Sequence, residues 1–463
     1  MRNLYEDVAF LDRKCYDIYN LTEDLLMEHA AAALAAAVRY VAKKGARVLI
    51  VAGPGNNGGD GVACARQLLG EYDVHLFMPY GAKSEMCKLQ IDRYYACGGE
   101  LSEDITEADV VVDALFGTGL SKPLREDAVH LLRHLNAMEA YKIACDIPSG
   151  LDALGNPHPI AFKAQNTVTM GAPKLALYMD NAKDYVGTIE VADLGVSSAL
   201  YEEESPYKLL ERADLHPPYR AQQNSNKGTY GHLALLAGEK EGAAIMAGLA
   251  ALRYGAGLVT ILTYENISVP YELMHSSHLP PKTTALAVGM GLGMEYSDED
   301  LQKFLDNDLS LVVDADLFYS DAMCKILERK KVVLTPHPKE FASLLKVCGI
   351  GEYSVTDIQS DRVGFAKKFC AAYPDAVLVL KGANPIIAQA ERLYINPCGT
   401  NALAKGGSGD VLTGLIGALL AQGYEPLEAA IQGSLAHAVA STKVACNDYA
   451  LTPSDLIKAI SRL

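Results

Sequence analysis

The sequence predicts an α/β protein folded as two domains, each built on a mainly parallel sheet. Three observations carry this. Short apolar, β-branched runs alternate with segments of helical period along both halves of the chain. Many of those runs end in polar, glycine-bearing loops, as strand tips do when they gather at one edge of a parallel sheet. The chain's 463 residues exceed what one core comfortably serves, and the patterning lapses between residues 197 and 227.

Residues 22–43 carry a helical pattern that closes on Lys43, Lys44 and Gly45, a basic last turn followed by glycine. Residues 47–52 (RVLIVA) read as a buried strand, 53–61 as a glycine-rich turn and 62–69 as a helix. The alternation continues through strand 74–78, helix 84–96, strand 110–112, helix 127–136 and strand 142–145, with further strands near 166–170 and 187–191. Acidic residues and Pro206, Pro217 and Pro218 then mark a linker, which divides the chain into domains 1–212 and 213–463. In the second half, strands are expected at 232–237, 258–262, 285–288, 310–313, 332–335 and 376–380, with a short strand pair up to 396. Residues 243–254, 409–420, 426–446 and 453–463 read as helices.

Acidic residues outnumber basic ones 57 to 41, and no basic run is present. That argues against nucleic acid or an anionic membrane as partner, while leaving room for a nucleotide, which needs only local donors. Ten cysteines lack any CxxC pair or framework spacing, which suits reduced thiols in a cytoplasm. The N-terminus carries acids too early for a signal peptide, and the alanine-rich run 30–38 is too short to span a bilayer. A soluble, cytoplasmic protein is expected.

Residues 53–58 formally fit G-x-G-x-x-G after a strand, a weak signal alone. The next strand ends Phe77-Met78-Pro79, without the acid that an ordinary NAD site uses on the ribose. Three strand ends nonetheless converge: Asn56 with Asn57, Asp113 with Gly117-Thr118-Gly119, and Asp146 with Ser149. Asn57, Asp113 and Ser149 could supply hard oxygens to a cation, and Asp146 is the acid/base candidate. Three turns rich in Asn, Asp and Gly are the plainer alternative.

The runs Asn56-Asn57-Gly58-Gly59-Asp60-Gly61, Asp113 to Gly119 and Asp146-Ile147-Pro148-Ser149-Gly150-Leu151-Asp152 resemble the signature loops of NAD(P)H-hydrate epimerases. The resemblance implies a Rossmann-like, three-layer α/β/α domain. It implies potassium on Asn57, Asp113 and Ser149. It also implies contacts to the hydrated nucleotide from Asn56, Asn57, Gly58, Gly59, Asp60, Gly117, Thr118, Gly119, Leu120, Ser121, Lys122, Pro123 and Asp146, with Asp146 catalytic.

In the second half, Gly406-Gly407-Ser408-Gly409-Asp410 runs into an apolar helical pattern. Such a turn offers free amides and the positive end of a helix dipole to an anion. A glycine-rich connection with an acidic cap is the plain alternative. His337 between two prolines, and Lys381 at a strand end, are further candidates. Their order along the chain, Thr335-Pro336-His337-Pro338-Lys339-Glu340, then Leu380-Lys381-Gly382-Ala383, then Gly407-Ser408-Gly409-Asp410, resembles the ADP-dependent NAD(P)H-hydrate dehydratases of the ribokinase-like superfamily. The resemblance implies that Ala243, Gly291, His337 and Asp410 touch the hydrate. It places ADP on Lys381, Gly382, Ala383, Asn384, Pro385 and Gly409, makes Asp410 catalytic, and calls for Mg²⁺. Met290 and Lys339 depart from the family's usual Pro and Gly, and the 238–242 loop is short; none of these removes a reacting group.

Together the halves predict repair of hydrated nicotinamide nucleotides, NADHX and NADPHX, in a homo-oligomer. One domain epimerises the R and S forms, and the other dehydrates the S form at the expense of ADP. The competing readings are a ribokinase-like kinase for a vitamin precursor fused to a nucleotide-binding domain, or a non-catalytic binding module in the first half.

Overall fold

The computed structural model describes residues 1–120, 122–293 and 296–463. The chain divides into two compact units, Asn3–Ser205 and Pro206–Leu463, with Met1–Arg2 grouped in the second.

In the first unit, parallel strands lie in the order Asp73–Phe77, Arg47–Ala52, Val110–Ala114, Tyr141–Cys145, Asn166–Met170, Thr188–Ala192. This is a doubly wound sheet whose order reverses beside Arg47–Ala52, where a crevice is expected. Alternate strand residues enter different cores, so the strands read as continuous apolar runs. Val48, Ile50 and Ala52 pack with Leu34 and Val62, from helices Glu23–Val41 and Asn56–Leu68. Leu49 and Val51 face the opposite core, with Leu131, Leu132 and Leu135 of Glu126–Ala137. The unit is therefore three-layered.

The helix expected from residue 62 begins at Asn56. Its glycines lower helix propensity, but packing requires them. A Cβ on Gly58 would lie 1.8 Å from the carbonyl oxygen of Gly53, and one on Gly61 would lie 2.6 Å from Cβ of Ala114. Close approach to the strand tips outweighs propensity, and Asn56 and Asn57 become a helical first turn. Asp113, expected just beyond its strand, lies inside Val110–Ala114. Helix Ala9–Tyr19 was not anticipated.

Strands of the second unit follow the order Tyr207–Leu209, Arg392–Ile395, Ile386–Gln389, Val377–Leu380, Val332–Leu334, Ser310–Val313, Ala285–Val288, His232–Leu236, Leu258–Leu262, Met274–Ser276. Only the pairings of Ile386–Gln389 are antiparallel among them. Helices Glu241–Arg253, Ser408–Ala421 and Pro426–Ser441 share one core with the sheet, including Leu233, Leu235, Ala247, Leu415 and Leu435. The helix expected to reach residue 446 stops at Ser441. There the hydroxyls of Ser441 and Thr442 donate to the carbonyls of Ala438 (2.6 Å) and Val439 (2.8 Å), a local alternative to continued helix. Tyr207–Leu209 lies within the unpatterned stretch and pairs with Arg392–Ile395, far along the chain. Among the described residues, no helix is long and apolar enough to cross a membrane.

Candidate active sites

At the reversal of the first sheet a cavity of about 500 Å³ opens, walled by the residues that follow Arg47–Ala52 and Val110–Ala114. Asn56, Asn57, Asp60, Gly117, Thr118, Gly119, Leu120 and Asp146, all expected from the sequence, line it. Gly58 and Gly59 are buried in the helix behind its wall. Lys122 and Pro123 are exposed and not part of that wall, and Ser121 lies outside the described residues.

Asp146 leaves its strand in the left-handed region, at φ +64°. Its Oδ1 accepts from Lys174 Nζ at 2.5 Å, from the Met170 amide at 3.0 Å and from Thr169 Oγ1 at 3.2 Å. Lys174 is fully buried and also donates to the Met170 carbonyl (3.0 Å) and Thr169 Oγ1 (3.1 Å), so its buried ammonium is satisfied. Sequence reasoning missed Lys174 and Asp12, which both line the cavity. A lone lysine inside the apolar run 172–179 was the available signal, since a buried cation demands an acid. Asp12 accepts from Tyr201 Oη at 2.7 Å, and burial raises its carboxyl above the usual range. The Asp60 carboxyl is raised further still, by burial first and then by Asp146 and Asp12.

Asp113 is wholly buried. Its Oδ1 accepts from Ser149 Oγ at 2.6 Å and the Leu115 amide at 3.2 Å, and its Oδ2 from the Ser149 amide at 2.8 Å. Burial nonetheless pushes this carboxyl up to about 6, against the lowering effect of those bonds. Both polar atoms of the Asn57 side chain are buried without a partner. Phe116 and Gly117 connect the two groups: the Phe116 amide donates to Ser149 Oγ at 2.8 Å, and a Cβ on Gly117 would lie 3.5 Å from Asn57 Oδ1. Among the described residues, no cluster of three or more His, Cys, Asp and Glu could hold a metal. An orphaned amide oxygen, a hydroxyl and one uncompensated carboxylate instead fit a hard monovalent cation.

In the second unit, parallel strands again bring their polar ends to one edge. Asp314 follows Ser310–Val313, His337 follows Val332–Leu334 and Lys381 follows Val377–Leu380. Lys381 Nζ lies 2.7 Å from Asp314 Oδ1 and 3.5 Å from Glu340 Oε2. Burial alone would favour the neutral amine, but the two acids outweigh it and raise Lys381. Burial likewise opposes the Glu340 carboxylate, and His337 and Lys381 overcome it. His337 Nδ1 accepts from the amides of Lys339 (3.1 Å) and Glu340 (3.2 Å), which leaves Nε2 to donate to Glu340 Oε1 at 3.0 Å.

Asp410 stands in the first turn of Ser408–Ala421, after Gly407 at φ +84°. Burial pushes its carboxyl up to about 6; Asp314 and Glu340 add to the rise and Lys381 opposes it. A Cβ on Gly409 would lie 3.4 Å from Lys381 Nζ, so the expected trio Lys381, Gly409 and Asp410 is brought together. Ala243 and Gly291 also meet: a Cβ on Gly291, at φ +57°, would lie 3.2 Å from Cβ of Ala243. One turn along the same helix, Sδ of Met246 would lie 3.1 Å from a Cβ on Gly407. Gly382 and Ala383 are exposed beyond the Lys381 tip, Asn384 is buried and Pro385 half-buried.

Three supporting side chains were given no role from the sequence. Arg362 is buried and donates to the carbonyls of Leu380 (2.9 Å), Lys381 (3.1 Å) and Asn384 (3.1 Å), fixing that loop. Thr413 Oγ1 donates to Asp314 Oδ2 at 2.8 Å. Burial holds His437 down at about 4; its neutral Nε2 lies 2.9 Å from the Ser408 carbonyl and steadies the turn before Asp410.

A family model described as NAD(P)H-hydrate dehydratase matches residues 233–462, and one described as YjeF-related protein N-terminus matches residues 23–176. The chain is 43% identical to the bifunctional NAD(P)H-hydrate repair enzyme Nnr of Helicobacter pylori, with 100% of both chains covered. It is 34% identical to the enzyme of that name from Escherichia coli, covering 99% of this chain and 93% of the other. A solved ADP/ATP-dependent NAD(P)H-hydrate dehydratase from Bacillus subtilis, co-crystallised with ATP and Mg²⁺, is 31% identical with a TM-score of 0.45, covering 54% of this chain and 94% of that one. The chain therefore belongs to the bifunctional NAD(P)H-hydrate repair enzymes.

Proposed function

We propose that the first unit interconverts the R and S hydrates of NADH and NADPH, and that the second dehydrates the S form using ADP. The observation that carries this reading is Asp410: a carboxyl pushed up to about 6 at a helix start beside Lys381, suited to act as a base near neutral pH. Asp410 takes the proton of the substrate hydroxyl as that oxygen attacks the terminal phosphoryl of ADP, releasing AMP. The amides of residues 406–409 and Lys381 stabilise the transferring phosphoryl. The C–O bond then breaks, its electron pair leaving with phosphate, and loss of the adjacent ring proton restores the dihydronicotinamide. Mg²⁺ normally reaches such sites with the nucleotide phosphates and one or two carboxylates, a role that Asp314 and Glu340 suit. Ala243, Gly291 and His337 would border the hydrate, and residues 381–385 the ADP.

In the first unit, Asp146 moves the proton as the ring carbon loses and regains its oxygen. Potassium on Asn57, Asp113 and Ser149 would supply the positive charge that the buried Asp113 carboxylate lacks. Potassium should accordingly raise the unfolding temperature of the wild type by several degrees, as a ligand of the native state does. Asn57→Leu should lose that increment, and an equal increment in the variant would refute the site.

The overall reading is tested with purified protein, mixed hydrate, ADP and Mg²⁺. NADH absorbance should return with stoichiometric AMP and inorganic phosphate. A stable phosphorylated product instead would favour a small-molecule kinase.

A further inference from the structure

Besides Asp146, three carboxyls line the epimerase cavity, Asp7, Asp12 and Asp60, of which Asp7 accepts from the Ala9 amide and Asp12 from Tyr201 Oη. Among the described residues, every hydrogen bond to the Asp146 carboxylate falls on Oδ1, from Lys174, Thr169 and Met170, which leaves Oδ2 for the substrate side. Asp60 lines the same cavity from helix Asn56–Leu68. Among the described residues, its side chain has no hydrogen-bond donor or ion-pair partner. The charged and titratable groups around it are Asp146, Lys174, Asp12 and Tyr16, Glu23, and the buried thiols Cys64, Cys87 and Cys145. Lys174 is therefore committed to Asp146, whereas Asp60 faces mainly acids.

We infer that Asp60 is the second catalytic residue of this site: it protonates the departing hydroxyl, while Asp146 Oδ2 takes a proton from the water that returns. This rests on the proposed epimerase activity and divides its chemistry between two groups. In the first step the carbon–oxygen bond breaks with its electrons going to oxygen. The Asp60 proton makes that oxygen water, and the ring nitrogen's lone pair forms a double bond to the carbon. In the second step water adds to the opposite face, its electrons form the new carbon–oxygen bond, the carbon–nitrogen double bond returns its pair to nitrogen, and one proton of the water passes to Asp146. The two carboxyls then re-equilibrate through solvent. Burial, with Asp146 and Asp12 beside it, favours the protonated form of Asp60, so that epimerisation declines as pH rises through its titration.

The test uses full-length protein with potassium and the R hydrate of NADPH, without ADP, following appearance of the S form by chromatography. Asp60→Asn should lower turnover about 10²–10³-fold, leave KM within about threefold, and remove the alkaline limb of the pH profile. Asp60→Glu should recover part of the rate with that limb displaced, and this carries the test if the Asn variant does not fold. Near-wild-type turnover in Asp60→Asn, or a raised KM with the alkaline limb intact, would overturn the assignment alone. A wild type that fails to interconvert the epimers would overturn the proposed epimerase, and this assignment with it.

Discussion

Asp410→Asn should abolish ADP-dependent dehydration, by about 10³-fold or more, while the chain still interconverts the hydrate epimers. The substitution keeps the size and polarity of the side chain at the start of Ser408–Ala421 and removes only its capacity to accept a proton. The same variant should be more stable than the wild type. A carboxyl whose folded pKa is about 6, raised from 3.8 by burial and by Asp314 and Glu340, favours folding only while protonated. Its contribution is lost as pH climbs from about 4 through about 6, which costs on the order of 2 kcal/mol at neutral pH, and asparagine avoids that cost. Urea unfolding at neutral pH and at pH about 4 checks the sign, since the advantage should shrink at the acid end. In the wild type, dehydration should fall below pH about 6, where Asp410 is protonated before the substrate arrives.

The second large effect is expected from Lys381→Met. Lys381 stands 2.7 Å from the buried Asp314 and 3.5 Å from Glu340, and its loss leaves two acids of one network without their cation. Breaking such a network should cost about 3 kcal/mol at neutral pH, less in acid where the carboxyls can protonate. Activity should suffer twice. ADP affinity drops, and Asp410, which Lys381 draws downward, rises further, moving the acid limb of the pH profile towards neutrality. Lys381→Arg should keep most of the stability because it keeps the charge. A methionine variant of wild-type stability and pH profile would show that the network does not tune Asp410.

What sequence could and could not disclose follows from where the determinants lie. Parallel strands must present their C-terminal ends together, so Asn57, Asp113, Asp146 and Lys381 were legible as strand-end residues, and Asp410 as the acid of a glycine-rich helix start. Helix Asn56–Leu68 was misplaced by six residues because propensity counts glycines against a helix, whereas here contacts with Gly53 and Ala114 demand them. Lys174, Asp12, Arg362 and His437 reach their sites by long-range packing from segments without motifs. The short strand Tyr207–Leu209 exists only because Arg392–Ile395 pairs with it, which no local pattern encodes. The division of labour between Asp60 and Asp146 likewise depends on which acid the lysine reaches.

One chain is expected to repair both epimers. The most direct measurement supplies the R hydrate alone, with ADP, Mg²⁺ and potassium, under conditions where spontaneous interconversion is slow, and follows return of the reduced nucleotide. Wild type should convert all of it, and Asp146→Asn should leave it untouched while still consuming the S hydrate. An R hydrate that persists with wild type, beside an S hydrate that is consumed, would rule out the epimerase and leave the first unit a binding module.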